Sequence, residues 1–311
     1  MNKKTKKSKK FAPKKCPYER ITDKILSALE SGVVPWQRGW DMLGGIPTSL
    51  STGKPYSGMN MLLLAMEGRT SPYWLTFRKA KELGGTIKKG EKSSFVSFFK
   101  MIKIDKDPQG NPYPEGEEKM VPYLKADPVF NLEQTEGIDP AKLPADAFPT
   151  KPEGTQWKPE EIAEDLIREA VAGKLIPEPK HDGGNRAFYR PSTDSVHLPA
   201  RESFTGAPEY YGTTFHELAH ATGHSTRLDR KLDTAPKPFG SADYSREELV
   251  AELTACFLMS DCRMLKSTLQ NSASYIESWS KKLKSDKKLF ATASAQASKA
   301  HKWITGSYQT I

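Results

Sequence analysis

Cysteine is scarce in this chain of 311 residues: Cys16, Cys256 and Cys262 are the only three, and none forms a Cys-x-x-Cys pair. An odd, scattered set excludes a disulfide scaffold and a cysteine zinc knuckle, and suits a reducing cytoplasm. No stretch of 18 apolar residues occurs, and no apolar segment follows the lysine-rich start. A membrane span, a signal peptide and a membrane partner are therefore not expected, and the chain reads as soluble and cytoplasmic. A Walker motif is missing, as is an acidic cluster suited to paired magnesium ions, which argues against a primase or other replication factor. There is no internal repeat. Histidine is rare too, with six in all, yet three of them fall between positions 216 and 224.

That short run, Thr214-Phe-His-Glu-Leu-Ala-His-Ala-Thr-Gly-His224, contains His-Glu-x-x-His. His216 and His220, four apart on a helix, project from one face a turn apart and can hold a zinc ion. Glu217, offset by one position, points at a metal-bound water and is the expected catalytic base. A third protein ligand is needed. Downstream, Ser245 and Glu248 have the spacing of a capping box at the start of a helix from about Arg246. Glu252 lies one turn further among Val250, Ala251, Leu253, Ala255 and Phe257, where a carboxylate is costly unless paired or metal-bound. Glu252 is the expected third ligand, with Glu248 the alternative or an outer partner. Position 226 is Thr, so the longer three-histidine pattern fails and His224 reads as structural. Tyr244 and His224 are both in reach as oxyanion donors, and nothing in the sequence selects between them. The ligand types suit Zn2+, with Mn2+ also compatible.

The formal net charge of +9 is unevenly spread. Residues 1 to 15 carry eight lysines and no acid, and residues 16 to 104 hold 13 basic against 7 acidic side chains. Residues 105 to 180 reverse the balance, with 9 basic and 17 acidic. A positive N-terminal third points to a polyanionic partner. Through residues 36 to 92, aromatic and basic side chains interleave as in single-strand binding, where cations track phosphates and aromatic faces stack on bases. Trp36, Trp40 and Tyr56 sit among Gly, Pro and charges and are the expected stacking residues. Arg38, Lys54, Arg78, Lys79, Lys81, Lys88, Lys89 and Lys92 are the expected phosphate contacts. Trp74 and Phe77, in an apolar run, read as core.

The spacing divides the chain into a disordered basic tail (1–15), a DNA-binding domain (16–136), a proline-rich linker (137–159) and a second domain (160–311). Helices are expected from Pro17 to about Leu29, from Met59 to Met66, from Pro159 to Ala172, and near 209–224, 246–261, 273–284 and 286–304. A strand from Phe95 to Ile104 opens a hairpin that resumes near Tyr123, and Arg186–Arg190 with Ser195–Leu198 forms another. The fold class is α+β, with two domains: an N-terminal α+β DNA-binding unit and a C-terminal unit with a small antiparallel sheet and several helices.

Val-Pro-Trp-Gln-Arg-Gly-Trp (34–40), Thr-Gly-Lys-Pro-Tyr-Ser-Gly-Met-Asn (52–60), Tyr-Trp-Leu-Thr-Phe (73–77) and Lys-Lys-Gly-Glu-Lys (88–92) together resemble the N-terminal domain of ArdC-type antirestriction proteins. Some conjugal primases and phage polyvalent proteins share that domain type. Val-Phe-Asn (129–131), Ala-Phe-Tyr-Arg-Pro-Ser-Thr-Asp (187–194) and His-Glu-Leu-Ala-His carry the resemblance into the second domain. It implies a plasmid- or phage-encoded protein with a single-stranded-DNA-binding domain and a zincin-like metallopeptidase domain, protecting incoming DNA from restriction. A host restriction enzyme or another protein would be the peptidase substrate. The alternative is a non-enzymatic DNA-coating protein whose metal is structural or vestigial.

Overall fold

The computed structural model describes residues 15–36, 45–107, 109–114, 119–148, 159–232, 242–264 and 273–307. The lysine tail before Lys15, Arg38, Trp40 and positions 149–158 of the expected linker lie outside the described residues. Helix α1 (Pro17–Glu30) starts with Pro at N1 and with the Glu19 carboxylate accepting from the Cys16 amide. The stripe of Ile21, Ile25 and Leu29, spaced four apart, is fully buried. Helix α2 (Gly58–Ala65) is buried along almost its whole length, and the short α3 (Phe77–Glu82) is capped by the Thr76 hydroxyl.

Four strands form the main sheet, in the order β1 (Thr48–Ser49), β2 (Tyr73–Leu75), β5 (Lys119–Asn131), β4 (Ser94–Ile104). β1 and β2 run parallel, and the other pairs are antiparallel. Asn60 on α2 clamps the base of the β4–β5 hairpin. Its side chain donates to the Ser97 carbonyl (2.9 Å) and accepts from the Ser97 amide (2.7 Å), replacing a neighbouring strand. β3 (Thr86–Ile87) pairs with β6 (Thr135–Glu136). Residues 138–147, expected as the start of the linker, lie against α3. There Ala147 joins the cluster of Leu75, Ala80 and Leu132, and its carbonyl accepts from Ser71.

The second half runs α4 (Pro159–Ala172), the hairpin β7 (Phe188–Arg190) and β8 (Ser195–His197), then α5 (Ala207–Ala221), α6 (Ala242–Asp261), α7 (Ala273–Ser285) and α8 (Leu289–Ile304). α6 begins at Ala242, earlier than the sequence suggested, so Ser245 lies inside the helix and does not cap it. α6 is apolar on two sides, the mark of a buried helix. Leu249, Val250, Leu253 and Phe257 share one core with Ile21, Leu29 and Leu62 of α1 and α2 and with Trp279 and Phe290 of α7 and α8. Ala255, Leu258 and Met259 face a second core with Tyr211, Phe215 and Leu218 of α5 and Val196 of β8. The two halves of the chain thus meet in a common interior built on α6.

Candidate metal centre and nucleic-acid surface

Helices α5 and α6 pack against each other, and their contact brings three ligand atoms together. His216 Nε2 and His220 Nε2 are 3.1 Å apart, and the Glu248 carboxylate oxygens stand 3.6 Å from the first and 3.7 Å from the second. Among the described residues, His216, His220 and Glu248 form a group able to hold a metal ion. Ligands at 2.0–2.2 Å around a tetrahedral ion are about 3.3–3.6 Å from one another, so the donor set fits a first-row divalent cation.

Glu248, and not Glu252, faces the histidines. Four residues along a helix is a rise of about 6 Å, and Glu252 is carried past the cluster to accept a hydrogen bond from Tyr275 of α7 (3.2 Å). The requirement that a carboxylate on this apolar helix be paired is met for Glu252 by a tyrosine rather than by a metal.

Behind the ligands lies a buried ionic network. The Glu247 Oε1 oxygen accepts from His220 Nδ1 (3.1 Å), and Arg230 grips the same carboxylate through Nε (2.9 Å) and Nη2 (2.7 Å). A carboxylate can only accept, so Nδ1 carries a proton, and in the neutral ring that metal binding requires it is the Nε2 lone pair that is left towards His216 and Glu248. Arg230 also donates to the Ala219 carbonyl and the Thr222 hydroxyl, satisfying the C-terminal end of α5. Gly223 makes room for this loop, since a Cβ there would meet Leu232 at 2.6 Å and the Arg230 guanidinium at 3.0 Å. Burial alone would raise the Glu247 carboxyl, but the hydrogen bonds from Arg230 and His220 hold it at about 2. Burial would likewise lower His220, but Glu247, Glu217 and Glu248 outweigh it and push the imidazole up to about 9 when no cation shares the site. Three carboxylates face one guanidinium here, and the excess negative charge matches a divalent cation.

Glu217 is buried on α5 one position past His216. The Tyr244 phenol is pushed up by burial and then by the charge and hydrogen bond of Glu248, with Glu217 contributing. Tyr244 is thus a neighbour of the Glu248 carboxylate. His224 instead turns its Nδ1 to Thr226 (2.8 Å). Of the expected site residues, the structure brings together His216, His220 and Glu217. Glu247 and Arg230 were not anticipated: three glutamates on one apolar helix gave the only signal, and spacing alone does not rank them.

The expected DNA-contacting side chains divide differently. Trp36 is 1% exposed, packed at 5.8 Å from Trp279 and 5.6 Å from Phe290. It is a core residue, because Val34 and Trp36, on the segment leaving α1, pack against Trp279 and Phe290 of α7 and α8 in one cluster. Tyr56 is half-buried against two of the apolar clusters. Trp74 is buried as expected, whereas Phe77 is 53% exposed at the first turn of α3 with the Lys81 ammonium over its ring. Lys54, Arg78, Lys81, Lys88, Lys89 and Lys92 are exposed and Lys79 half-buried. Arg78 is paired with Glu82 (2.9 Å), and Lys88 donates to the Glu133 carbonyl (2.7 Å).

Comparison with known proteins covers both halves. Residues 15–130 match the N-terminal domain of anti-restriction factor ArdC, and residues 169–296 match a zincin-like metallopeptidase family. The chain is 35% identical over 305 residues to the DNA primase TraC of Escherichia coli, covering 94% of this chain but 20% of that protein. A second TraC of the same species is covered to 27%. The chain thus spans only about a fifth to a quarter of the length of these relatives. It is 32% identical to the uncharacterized protein y4eC of Sinorhizobium fredii, with 92% of this chain and 91% of that one aligned. Among solved structures, the antirestriction protein ArdC of plasmid R388 superposes with a TM-score of 0.70 in its metal-free form and 0.69 in its Mn(II)-bound form. Identity is 34%, over 94% of this chain and 99% and 97% of those two chains. No described helix is long and apolar enough to cross a membrane.

Proposed function

This chain belongs to the ArdC antirestriction family, and on that basis we propose that it binds single-stranded DNA of a mobile element and shields it from restriction in the cytoplasm. Its zincin-like half is proposed to hold one divalent ion through His216, His220 and Glu248 and to act as a peptidase. The observation that carries the second part is the convergence of three ligand atoms 3.1–3.7 Å apart in a cluster with excess negative charge. Zinc is favoured by the ligand types, and manganese by the Mn(II)-bound form of the R388 relative.

A bound ion would supply Lewis-acid polarisation of a carbonyl and of water. The chain's own residues do the rest. Glu217, shielded from bulk solvent, takes the proton of the attacking water and returns it to the departing amine. The Tyr244 hydroxyl, kept protonated by its surroundings, donates to the developing oxyanion. Glu247 and Arg230 hold His220 in the tautomer that presents Nε2.

The test is elemental analysis of the purified protein beside Glu248→Ala and Glu252→Ala. About one ion per chain, lost in the Glu248 variant and kept in the Glu252 variant, is expected. Absence of metal after reconstitution with zinc and with manganese refutes the metal centre. Glu217→Gln, which leaves the ligands in place, separates the two roles. Loss of protection with DNA binding intact supports peptidase action, and full protection leaves DNA coating as the function.

A further inference from the structure

Trp36 is buried and Tyr56 half-buried, so among the described residues an exposed aromatic platform for single-strand binding is to be sought elsewhere. The β4–β5 hairpin offers one. The two strands pair without interruption from Ser94–Val129 to Ile104–Lys119, a ribbon about 35 Å long at about 3.4 Å per residue. On β4 only the base is buried, Ser94 to Ser97, and the exposed stretch begins at Phe98; on β5 Leu124, opposite Phe99 on the reverse face, is also buried. β2 pairs with β5 only at Phe130 and Asn131, so among the described residues the outer ribbon has no third strand.

Directly paired residues of an antiparallel ribbon share a face. On one face Phe98 is opposite Lys125 and Tyr123 is opposite Lys100, with Lys119 further out opposite Ile104. Phe98 is 46% and Tyr123 50% exposed. They are diagonal neighbours, about 7–8 Å apart, a separation that accepts two bases splayed from their stack, one on each ring. Lysine and aromatic alternate over these two pairs, and the Ile102–Val121 pair separates them from Lys119. Outward of Asp127, which pairs with Lys125 at 2.8 Å, the described residues of this face include three lysines and no acid. Lys100 has no ion-pair partner among the described residues. The reverse face exposes Phe99, Met101 and Met120 and carries Lys103 as its only described cation.

We propose that the Phe98–Tyr123 face of the β4–β5 ribbon is the single-strand binding surface, the two rings stacking on bases and Lys100, Lys119 and Lys125 meeting phosphates. This rests on the single-strand reading above, and the experiment separates the two. Fluorescence anisotropy with labelled oligothymidylate is measured on the full chain for wild type, Phe98→Ala/Tyr123→Ala, Lys100→Ala/Lys119→Ala and, as a reverse-face control, Phe99→Ala/Met120→Ala. Two lost stacking contacts at the lower end of ~1 kcal/mol each weaken binding by about 30-fold. The lysine pair lowers the slope of log affinity against log salt by about 1.4. The control is expected to bind like wild type.

Wild type that does not bind the oligomer overturns the single-strand reading and this proposal with it. Wild type that binds, with the aromatic variant binding equally well, overturns the ribbon surface alone and leaves that face to a protein partner. Equal losses in the aromatic and reverse-face variants also overturn it, since the effect is then not specific to one face.

Discussion

Replacing Glu247 by Gln keeps the shape of the side chain and removes its charge. Arg230 is then left at 8% side-chain exposure with its two strongest contacts weakened. Removing one partner of a buried ion pair costs about 3–5 kcal/mol, because the desolvated charge that remains is uncompensated. At roughly 2.1 cal/mol/K of unfolding entropy per residue, each kcal/mol in a chain of this length corresponds to about 1.5 °C in Tm, so the metal-free variant is expected to melt about 4–5 °C or more below wild type. Loss of the carboxylate that orients a ligating histidine typically lowers metal affinity about 10- to 100-fold, read by competition with a fluorescent chelator. The double variant Glu247→Met/Arg230→Met separates the two effects. Exchanging the whole pair for apolar groups of similar size is often neutral or stabilising, so most of the lost stability returns while the weak metal binding persists. A Glu247→Gln protein within about 0.5 kcal/mol of wild type, binding metal equally well, refutes the argument that this network supports the centre.

Other consequences are simpler to check. Gly58 opens α2 at φ +57°, and a Cβ there would meet the Ser298 hydroxyl of α8 at 2.3 Å. Gly58→Ala is expected to cost about 1–2 kcal/mol from backbone strain alone and more from the clash, measured by urea denaturation. Asp194 stands at φ +46°, and although burial would raise its carboxyl, the hydrogen bonds from Arg227 and Tyr189 hold it below its ordinary 3.8. Its stabilisation is complete above that ordinary value and is lost as pH falls through the lower folded one. Asp194→Asn, which tolerates the left-handed backbone, is expected to flatten this acid limb in denaturation midpoints collected from pH 2 to 6. An unchanged limb would show that the Arg227 contact contributes nothing. Burial pushes the Cys262 thiol up to about 12 while Cys16 is exposed. A thiol reagent at neutral pH should label Cys16 quickly and Cys262 only on unfolding, with mass spectrometry locating the adducts.

Much of this was legible in the chain. Helix α4 spans Pro159 to Ala172 as its periodicity indicated, and α1 starts at the proline and stops beside the glycine that mark its ends. The two histidines were fixed by a local rule, four residues on one helical face. Which glutamate stands beside them was not, because the choice between Glu248 and Glu252 depends on how far α6 slides along α5. Spacing within a single helix carries no information about that offset. The capping-box reading of Ser245 failed for a related reason: α6 starts at Ala242, and the local signal gave way to packing of the longer helix.

Trp36 is the sharper case. Its neighbours are Pro35, Gln37 and charged residues, a composition that belongs to surface loops, yet the ring sits between Trp279 and Phe290. These partners are more than 240 positions away, in the half of the chain that carries the candidate metal centre. The same is true of α1 and α2, whose apolar stripes find their cover on α6, α7 and α8. A core assembled across so much sequence leaves its contributors looking like unpartnered amphipathic or aromatic segments when read locally, which is how a binding surface also looks. The distinguishing quantity is the destination of the apolar face. For Trp36 it is the interior. For Phe98 and Tyr123, on a ribbon that outruns every described neighbouring strand, it is solvent as far as the described residues go, which is why they are the rings proposed to meet a base.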